Sequence, residues 1–450
     1  MEDAIRHNEP EGSPKLPPDG QAAAEPAHTP YGMQIPSIST RTQRPAPETA
    51  RKTSMQQPPP PPAGRGWDME LPLIPTTLFP GTYNRFAHAA AMNIVDDPGL
   101  ICNPLMVFGE PGSGKTHFIN FIAYALSESL GLDNIFVTDG IRFSRGIDRA
   151  IAEGKIEQLE ARLAGVKVLI IDDVHLLLVS AENGKYISKW LNDFVDRNKQ
   201  VILASGQTPD RIAGLEEAAG FLFTQGWTVD LKSPSPGEYK AILLQRIKEL
   251  EIRISENELA DVFSSLAMPL SEAIKVLENI KKMEKAAPGT ADKSSHSRTL
   301  GLLLGTGEAP GAGAVTDDDA KKAAAWRPAA AKSSFRLGIF CPAGGRREAE
   351  FALYALHERA RELGLNTDWG EVLIQEYAVD GLYAALLRAG DHAAGGRVNG
   401  VVILGGPVPS PALRHTAAKI LGSLRIKSSW LARADIKSKA AYAKILMDLL

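Results

Sequence analysis

The sequence predicts an α/β protein in two parts: a three-layer P-loop base with a parallel sheet and a small helical lid, then a separate three-layer, Rossmann-like domain. Three observations carry that expectation. From residue 69 onward, short apolar runs alternate with stretches whose apolar residues recur every three or four positions, the pattern of strands covered by helices on both faces. A G-x-x-x-x-G-K-[ST] motif at 109–116 separates one such run from one such helix. Composition shifts to Ala, Gly, Ser, Thr and Asp across 285–333, as in a flexible linker, and the α/β rhythm resumes at 334.

In chain order, residues 1–68 come first. Residues 1–66 hold 14 of the 31 prolines, including the run 58–62, and few large apolar residues. Such a segment cannot bury enough surface to offset chain entropy. It is expected to be a disordered, partly polyproline-II tail, serving either as a docking segment for a protein partner or as a solubilising tail. In the base (69–234), strands are expected at 106–109, 136–140, 167–178, 200–205 and 227–231, and helices at 117–130 and 147–163. The stretch 235–284 reads as an all-helical lid, with a capping-box pattern pairing Ser255 with Glu258. In the C-terminal domain (334–450), strands are expected at 335–340, 372–377, 400–406 and 428–434. Helices are expected at 345–363, 380–390, 410–424 and 436–449.

The bulk numbers exclude several classes. Charged residues make up 23% of the 450-residue chain and the net charge is −3, so no global basic field advertises nucleic acid. Two cysteines far apart, Cys102 and Cys341, form neither a disulfide framework nor a zinc-site spacing. The first residues lack the apolar core of a signal peptide and no run approaches the length of a membrane span. A cytoplasmic location is the expectation.

The motif at 109–116, GEPGSGKT, has a physical reading. Gly109, Gly112 and Gly114 let the backbone turn so that amide hydrogens face phosphate oxygens, and the helix beginning near Lys115 adds its positive end. Lys115 is expected to contact the β- and γ-phosphates, and the Thr116 hydroxyl to ligate Mg²⁺. The candidate contacts to ATP or ADP are Gly109, Pro111, Gly112, Ser113, Gly114, Lys115, Thr116 and His117. A buried strand that ends in adjacent acids, as KVLIIDD does at 167–173, is costly unless a cation or water waits there. Asp172 is expected to hold Mg²⁺ through water, and Asp173 to polarise the attacking water.

These residues resemble a known family. Residues 78–118, LFPGTYNRFAHAAAMNIVDDPGLICNPLMVFGEPGSGKTHF, are similar to the start of the AAA+ domain of DnaA, the bacterial replication initiator. They carry its NR-AHAAA box at 84–91, NPL at 103–105, and GKTHF at 114–118 where the family reads GKTHL. The likeness runs through FVTDGIRF, GKIEQLEARL, VLIIDDVHLLL and VILASGQTPDRI and weakens in the lid, spanning about 69–284. The DnaA-related regulator Hda is similar over the same stretch. The resemblance implies an ATP-driven switch, with adenine against residues 80–84. It also implies head-to-tail assembly with AAA+ partner subunits, in which one subunit's arginine reaches a neighbour's γ-phosphate.

The chain departs from that family at three positions. The first sensor falls on Gly206, beside Ser205; the trans-acting arginine on Leu222; and the lid arginine on Ser271. A shifted alignment would bring Arg211, Arg246 or Arg253 to these jobs. An arginine finger is typically worth about 10³–10⁵ in rate, so nucleotide binding is expected intact and hydrolysis weak or partner-dependent. The family's DNA-gripping helix corresponds to 153–165, where Glu160 and Ala161 sit mid-helix and acids match Lys155 and Arg162. DNA binding by this surface is expected to be weak, and the domain at 334–450 stands where the family's DNA-reading domain would be.

In that last domain, CPAGGRR at 341–347 and ILGGP at 403–407 are glycine turns at strand ends. They read as an anion cradle or as ordinary turns beside solvated arginines. His175, His357, His392 and His415 have no ligand spacing and read as structural or solvated. The leading function is an ATP-dependent switch in replication initiation or its regulation. The alternatives are a nucleotide-bound scaffold that recruits proteins, and a helicase loader of the DnaC type.

Overall fold

The computed structural model describes residues 69–252, 269–286, 314–326, 335–365, 372–378, 382–405 and 411–449, with isolated positions between them. The Pro-rich tail, the Ser255–Glu258 capping box, Arg253 and Gly406–Pro407 of the second glycine turn lie wholly or partly outside the described residues. Among the described residues, no helix is long and apolar enough to cross a membrane.

The base runs α1 (Arg85–Asp96), β1 (Leu105–Gly109), α2 (Lys115–Leu130), β2 (Ile135–Asp139), α3 (Gly140–Ala152), α4 (Ile156–Ala164), β3 (Val168–Asp172), α5 (Gly184–Asp196), β4 (Gln200–Ser205), α6 (Pro209–Ala219) and β5 (Trp227–Leu231). Its five strands are parallel in the order β2-β3-β4-β1-β5. The apolar runs of β1 to β4 are continuous because both faces are covered, while the edge strand β5 buries only Val229 and Leu231. One core contains Phe118, Ile122 and Ile170 beneath α1 and α2, and the other Phe136, Phe143 and Trp190 beneath α3 to α6. Each such fully buried side chain contributes about 1.5–3 kcal/mol of transfer free energy. The parallel register sets Asp139 opposite Asp172 and Phe108 opposite Ser205. Four strand ends therefore open along one edge of the sheet.

Two sequence readings are corrected in the base. The strand expected over 167–178 stops at Asp172, and Val174–Leu176 forms a 3-10 turn. The apolar residues beyond it are buried by loop packing: Val174 is inaccessible, and Leu176 and Leu177 are 9% and 6% exposed. The helix expected over 147–163 is two helices. The first starts at Gly140, capped by the Asp139 carboxylate accepting from Arg142 N. It stops at Ala152, and the chain turns at Gly154 with φ +65°.

The lid contributes α7 (Pro236–Glu249) and α8 (Leu270–Ala286). Ser235 and Glu238 form a capping box at the start of α7. Within 285–333, read as linker, a helix α9 (Asp317–Ala325) is capped by Thr316 and Asp319. It leads to Trp326, whose ring centroid lies 5.0 Å from that of His357. This part of the stretch is packed structure, because Ala323 and Trp326 bury against the domain that follows.

That domain comprises β6 (Leu337–Pro342), α10 (Arg346–Glu362), β7 (Leu373–Tyr377), α11 (Leu382–Gly395), β8 (Gly400–Gly405), α12 (Pro411–Ser423), β9 (Lys427–Ala432) and α13 (Lys439–Leu449). Its parallel sheet has the order β7-β6-β8-β9. On one face, α10 and α13 share a core with the lid, where Leu277 and Ile280 join Leu356 and Leu446. On the other face, α11 and α12 form a core that takes in Ile141 and Leu176 from the base. The C-terminal domain thus touches both lid and base.

Candidate nucleotide site

The site forms where the strand ends open. β1 delivers the loop 110–114, and α2 begins at Lys115. Gly112 and Gly114 take φ +88° and +96°, a region that side-chain-bearing residues rarely adopt, so the loop coils tightly, with Ser113 N–H donating to Glu110 O at 3.1 Å. Around Gly114 a Cβ would meet nothing within 4 Å, leaving the mouth of the cradle open. Ser113 Oγ is buried without a hydrogen-bond partner. Lys115 is only 7% exposed, and its ammonium donates to the carbonyls of Gly109 (2.8 Å) and Glu110 (2.9 Å). Burial lowers its pKa from the usual lysine value, opposed by Asp173 and Asp172. A fixed cation, an orphaned hydroxyl and an open glycine turn at the start of a helix together fit a polyphosphate.

Beside the loop, the Thr116 hydroxyl donates to Asp172 Oδ2 at 2.8 Å. Both are hard oxygen donors of the kind Mg²⁺ takes. Asp173 follows in the left-handed region (φ 47°, ψ 47°), which costs a non-glycine residue about 1–3 kcal/mol and turns its carboxylate back over the site. A cavity of about 270 Å³ opens here, lined by Thr116, Asp139, Arg142, Asp172 and Lys419. Asp139 is 2% exposed, and burial raises its carboxyl above the usual range, with Lys419 and Arg142 opposing.

Residues 75–230 match the family model described as "Bacterial DnaA ATPAse domain". This stretch is a DnaA-like AAA+ domain. The chromosomal replication initiator protein DnaA of Leifsonia xyli subsp. xyli is 30% identical over 199 residues, covering 44% of this chain and 41% of the relative. That of Deinococcus radiodurans is 30% identical over 240 residues, 52% and 50% respectively. The chain therefore spans half or less of these relatives' length. The crystal structure of domain III of DnaA from Thermotoga maritima aligns at 21% identity and a TM-score of 0.44, over 51% of this chain and 98% of that one.

Within the DnaA-like domain, the three departing positions have defined places. Ser271, at the start of α8, stands over the phosphate loop: a Cβ on Gly112 would meet its Oγ at 2.9 Å. Leu222 is 58% exposed. Gly206 donates its N–H to His175 Nδ1 at 3.2 Å. Of the alternative arginines, Arg246 is paired with Glu249 (3.0 Å) and Glu278 (2.7 Å) inside the lid. On the surface aligned with the family's DNA-gripping helix, Arg162 is held by both carboxylate oxygens of Glu70 at 3.0 Å, and Lys155 pairs with Glu153 at 2.6 Å. His117 Nε2 lies 2.8 Å from Thr77 O. The segment read as lying against adenine is tied to the lid, because Thr82 donates its N–H and hydroxyl to Glu238 at 2.6 and 2.9 Å.

Two readings of the C-terminal domain change. The turn at 341–347 presents no free cradle: Gly344 N donates to Glu376 Oε2 at 3.2 Å, and Arg346 and Arg347 pair with Glu350 and Asp317. The histidines read as structural or solvated divide. His357 packs on Trp326, but His415 on α12 reaches Asp173, its Nε2 2.6 Å from Oδ2. One helical turn on, Lys419 Nζ lies 2.8 Å from Asp172 Oδ2 and 2.9 Å from Asp173 Oδ2. Burial pushes the Lys419 pKa down, but Asp172, Asp173 and Asp139 outweigh it and hold it above the ordinary lysine value. Burial likewise pushes Asp173 up, while the His415 hydrogen bond and the Lys419 charge hold it below the carboxylate range. Lys419 was missed in the sequence because nothing local marks a solvent-face lysine as facing acids 246 and 247 positions upstream.

Proposed function

We propose that this chain is an ATP- and ADP-binding switch protein of chromosomal replication initiation or its regulation, whose hydrolysis is weak or depends on a partner. The observation that carries the reading is the pairing of an intact phosphate loop and acid pair with Ser271 placed over Gly112, where the resembling family supplies an arginine. Lys115 and the amides of 112–116 would bind the β- and γ-phosphates. Thr116 and Asp172 would hold Mg²⁺, which supplies charge neutralisation across the phosphates when bound. Asp173 would orient and polarise the attacking water. What the chain lacks at Leu222 and Ser271 is positive charge for the γ-phosphoryl transition state, a loss of about 10³–10⁵ in rate for a finger. The partners that fit are AAA+ subunits, either copies of this chain or DnaA-like proteins, that lend an arginine. Further protein partners would be engaged through the N-terminal tail or the C-terminal domain.

The deciding measurement is ATP affinity and turnover of the full chain, alone, with single-stranded DNA, and with a DnaA-like partner. Tight binding with slow turnover that a partner accelerates is expected. Turnover by the chain alone near 1 s⁻¹ or above, on the order of an ordinary enzyme, overturns the reading. The scaffold alternative, without turnover under any condition, is favoured by the presence of Lys419 on the acid pair.

A further inference from the structure

Helix α12 and its Lys419 have no part in the activity above, yet they occupy its metal side. Thr116 Oγ1 and Lys419 Nζ both lie 2.8 Å from the same oxygen, Asp172 Oδ2. A Mg²⁺ held by Thr116, and by Asp172 through water, would need Asp172 Oδ2 to accept from that water, and the Lys419 ammonium already occupies this oxygen. Two cations beside the same carboxylate in a largely buried site repel strongly. The charge balance points the same way. Asp139, Asp172 and Asp173, each 1–2% exposed, converge at the strand ends; Arg142 pairs with Asp139 at 3.3 Å, and Lys419 bridges Asp172 and Asp173.

Beside Lys419, the docking contact includes His415 Nε2, 2.6 Å from Asp173 Oδ2. Arg145 on α3 pairs with Asp391 on α11, Arg142 donates to Gly422 O, and Ile141 and Leu176 join the apolar core under α11 and α12. The C-terminal domain has a second, independent anchorage on the lid. There Lys444 pairs with Glu272 (2.6 Å), Lys275 pairs with Asp448 (2.9 Å) and Lys282 donates to Met447 O (3.0 Å).

We infer that docking of α12 on the base and loading of the site with a divalent metal–nucleotide exclude one another. Lys419 stands in for the metal in the docked state, and metal–nucleotide binding releases α12 while the domain stays on the lid. The C-terminal domain is then an internal competitor for Mg²⁺ and the moving part of the switch. This rests on reading 109–116, Asp172 and Asp173 as the metal–nucleotide site.

Two measurements on the full chain test it. The first is hydrogen–deuterium exchange over 411–423 with ATP in EDTA and with ATP plus Mg²⁺. Exchange rises with Mg²⁺ if α12 is released; unchanged or slower exchange with nucleotide bound overturns the inference. The second is the Mg²⁺ concentration at which a fluorescent ATP analogue reaches half-maximal binding. Lys419→Met should lower that midpoint roughly tenfold, and Lys419→Arg should restore it. Asp391→Lys breaks the remote Arg145 pair and should shift the midpoint in the same direction as Lys419→Met. A Lys419→Met midpoint equal to or above wild type overturns the competition. Failure of wild type and all variants to bind nucleotide overturns the site reading, and this inference with it.

Discussion

Replacing Lys115 with alanine isolates the interaction that the phosphate loop exists to make. In the structure the ammonium is already held, at 2.8 and 2.9 Å, by the carbonyls of Gly109 and Glu110. Nucleotide binding therefore exchanges neutral acceptors for charged phosphate oxygens. The net gain is that of a charge-assisted hydrogen bond, about 1.5–3 kcal/mol, which is about 10- to 150-fold in affinity. The fold should lose little, since Glu110 is exposed and Gly109 half-buried, so water can take over both carbonyls. Titration calorimetry with ATP, beside thermal melting of the same variant, gives both numbers. Weakening in that range with an unchanged melt is expected. An affinity within about twofold of wild type would refute the assignment, and a large drop in melting temperature would assign Lys115 a structural role instead.

Three further outcomes follow from positions around the site. Gly226 precedes β5 so closely packed on Pro104 that a Cβ would lie 2.7 Å from Pro104 N and closer still to its carbonyl oxygen; Gly226→Ala should cost about 1–3 kcal/mol, read as a lower urea midpoint. Gln200, 1% exposed, accepts from Gly99 N (2.9 Å) and donates to Cys102 O (2.7 Å). Gln200→Leu strands both groups, at about 1–3 kcal/mol each, and the same unfolding curve should fall further than for Gly226→Ala. Glu238 is held at about 2, against its ordinary 4.5, chiefly by the Ser235 side chain, with Thr82 adding. Because the folded value is depressed, its contribution to stability is fully present above pH 4.5 and is lost as pH falls through about 2. A carboxyl NMR titration of Glu238 with a midpoint near 4.5 would show that the link between lid and segment 80–84 does not form in solution.

The inner strands of the base could be read directly because a parallel strand covered on both faces must be continuously apolar, and QVILAS became β4 without change of bounds; the edge strand WTVDL kept its bounds as β5 with only Val229 and Leu231 buried. The same physics misled at 173–178, where apolar residues are buried by loop packing, and an apolar run alone does not distinguish the two. The capping box that starts α7 is written in the sequence as Ser235 and Glu238, three apart, with Pro236 between. In the candidate site, the glycines, Lys115, Thr116, Asp172 and Asp173 are local in sequence and come together as their motifs require. His415 and Lys419 do not announce themselves. Four residues apart, they share a helix face, a spacing that a solvated surface helix uses equally well. Only the docking of a second domain gives it meaning.

The sharing of one apolar core by α7, α8, α10 and α13 has a bearing on how this molecule comes apart. The lid follows the DnaA-like stretch in the chain, but by cohesion it belongs to the C-terminal sheet. A protease cut placed at the compositional break would leave Leu277, Ile280, Leu356 and Leu446 facing water on both fragments, and neither fragment should stay monomeric or soluble. Heating should separate the molecule along a different seam, with the five-stranded base melting as one calorimetric unit and the lid melting together with the four-stranded domain as another.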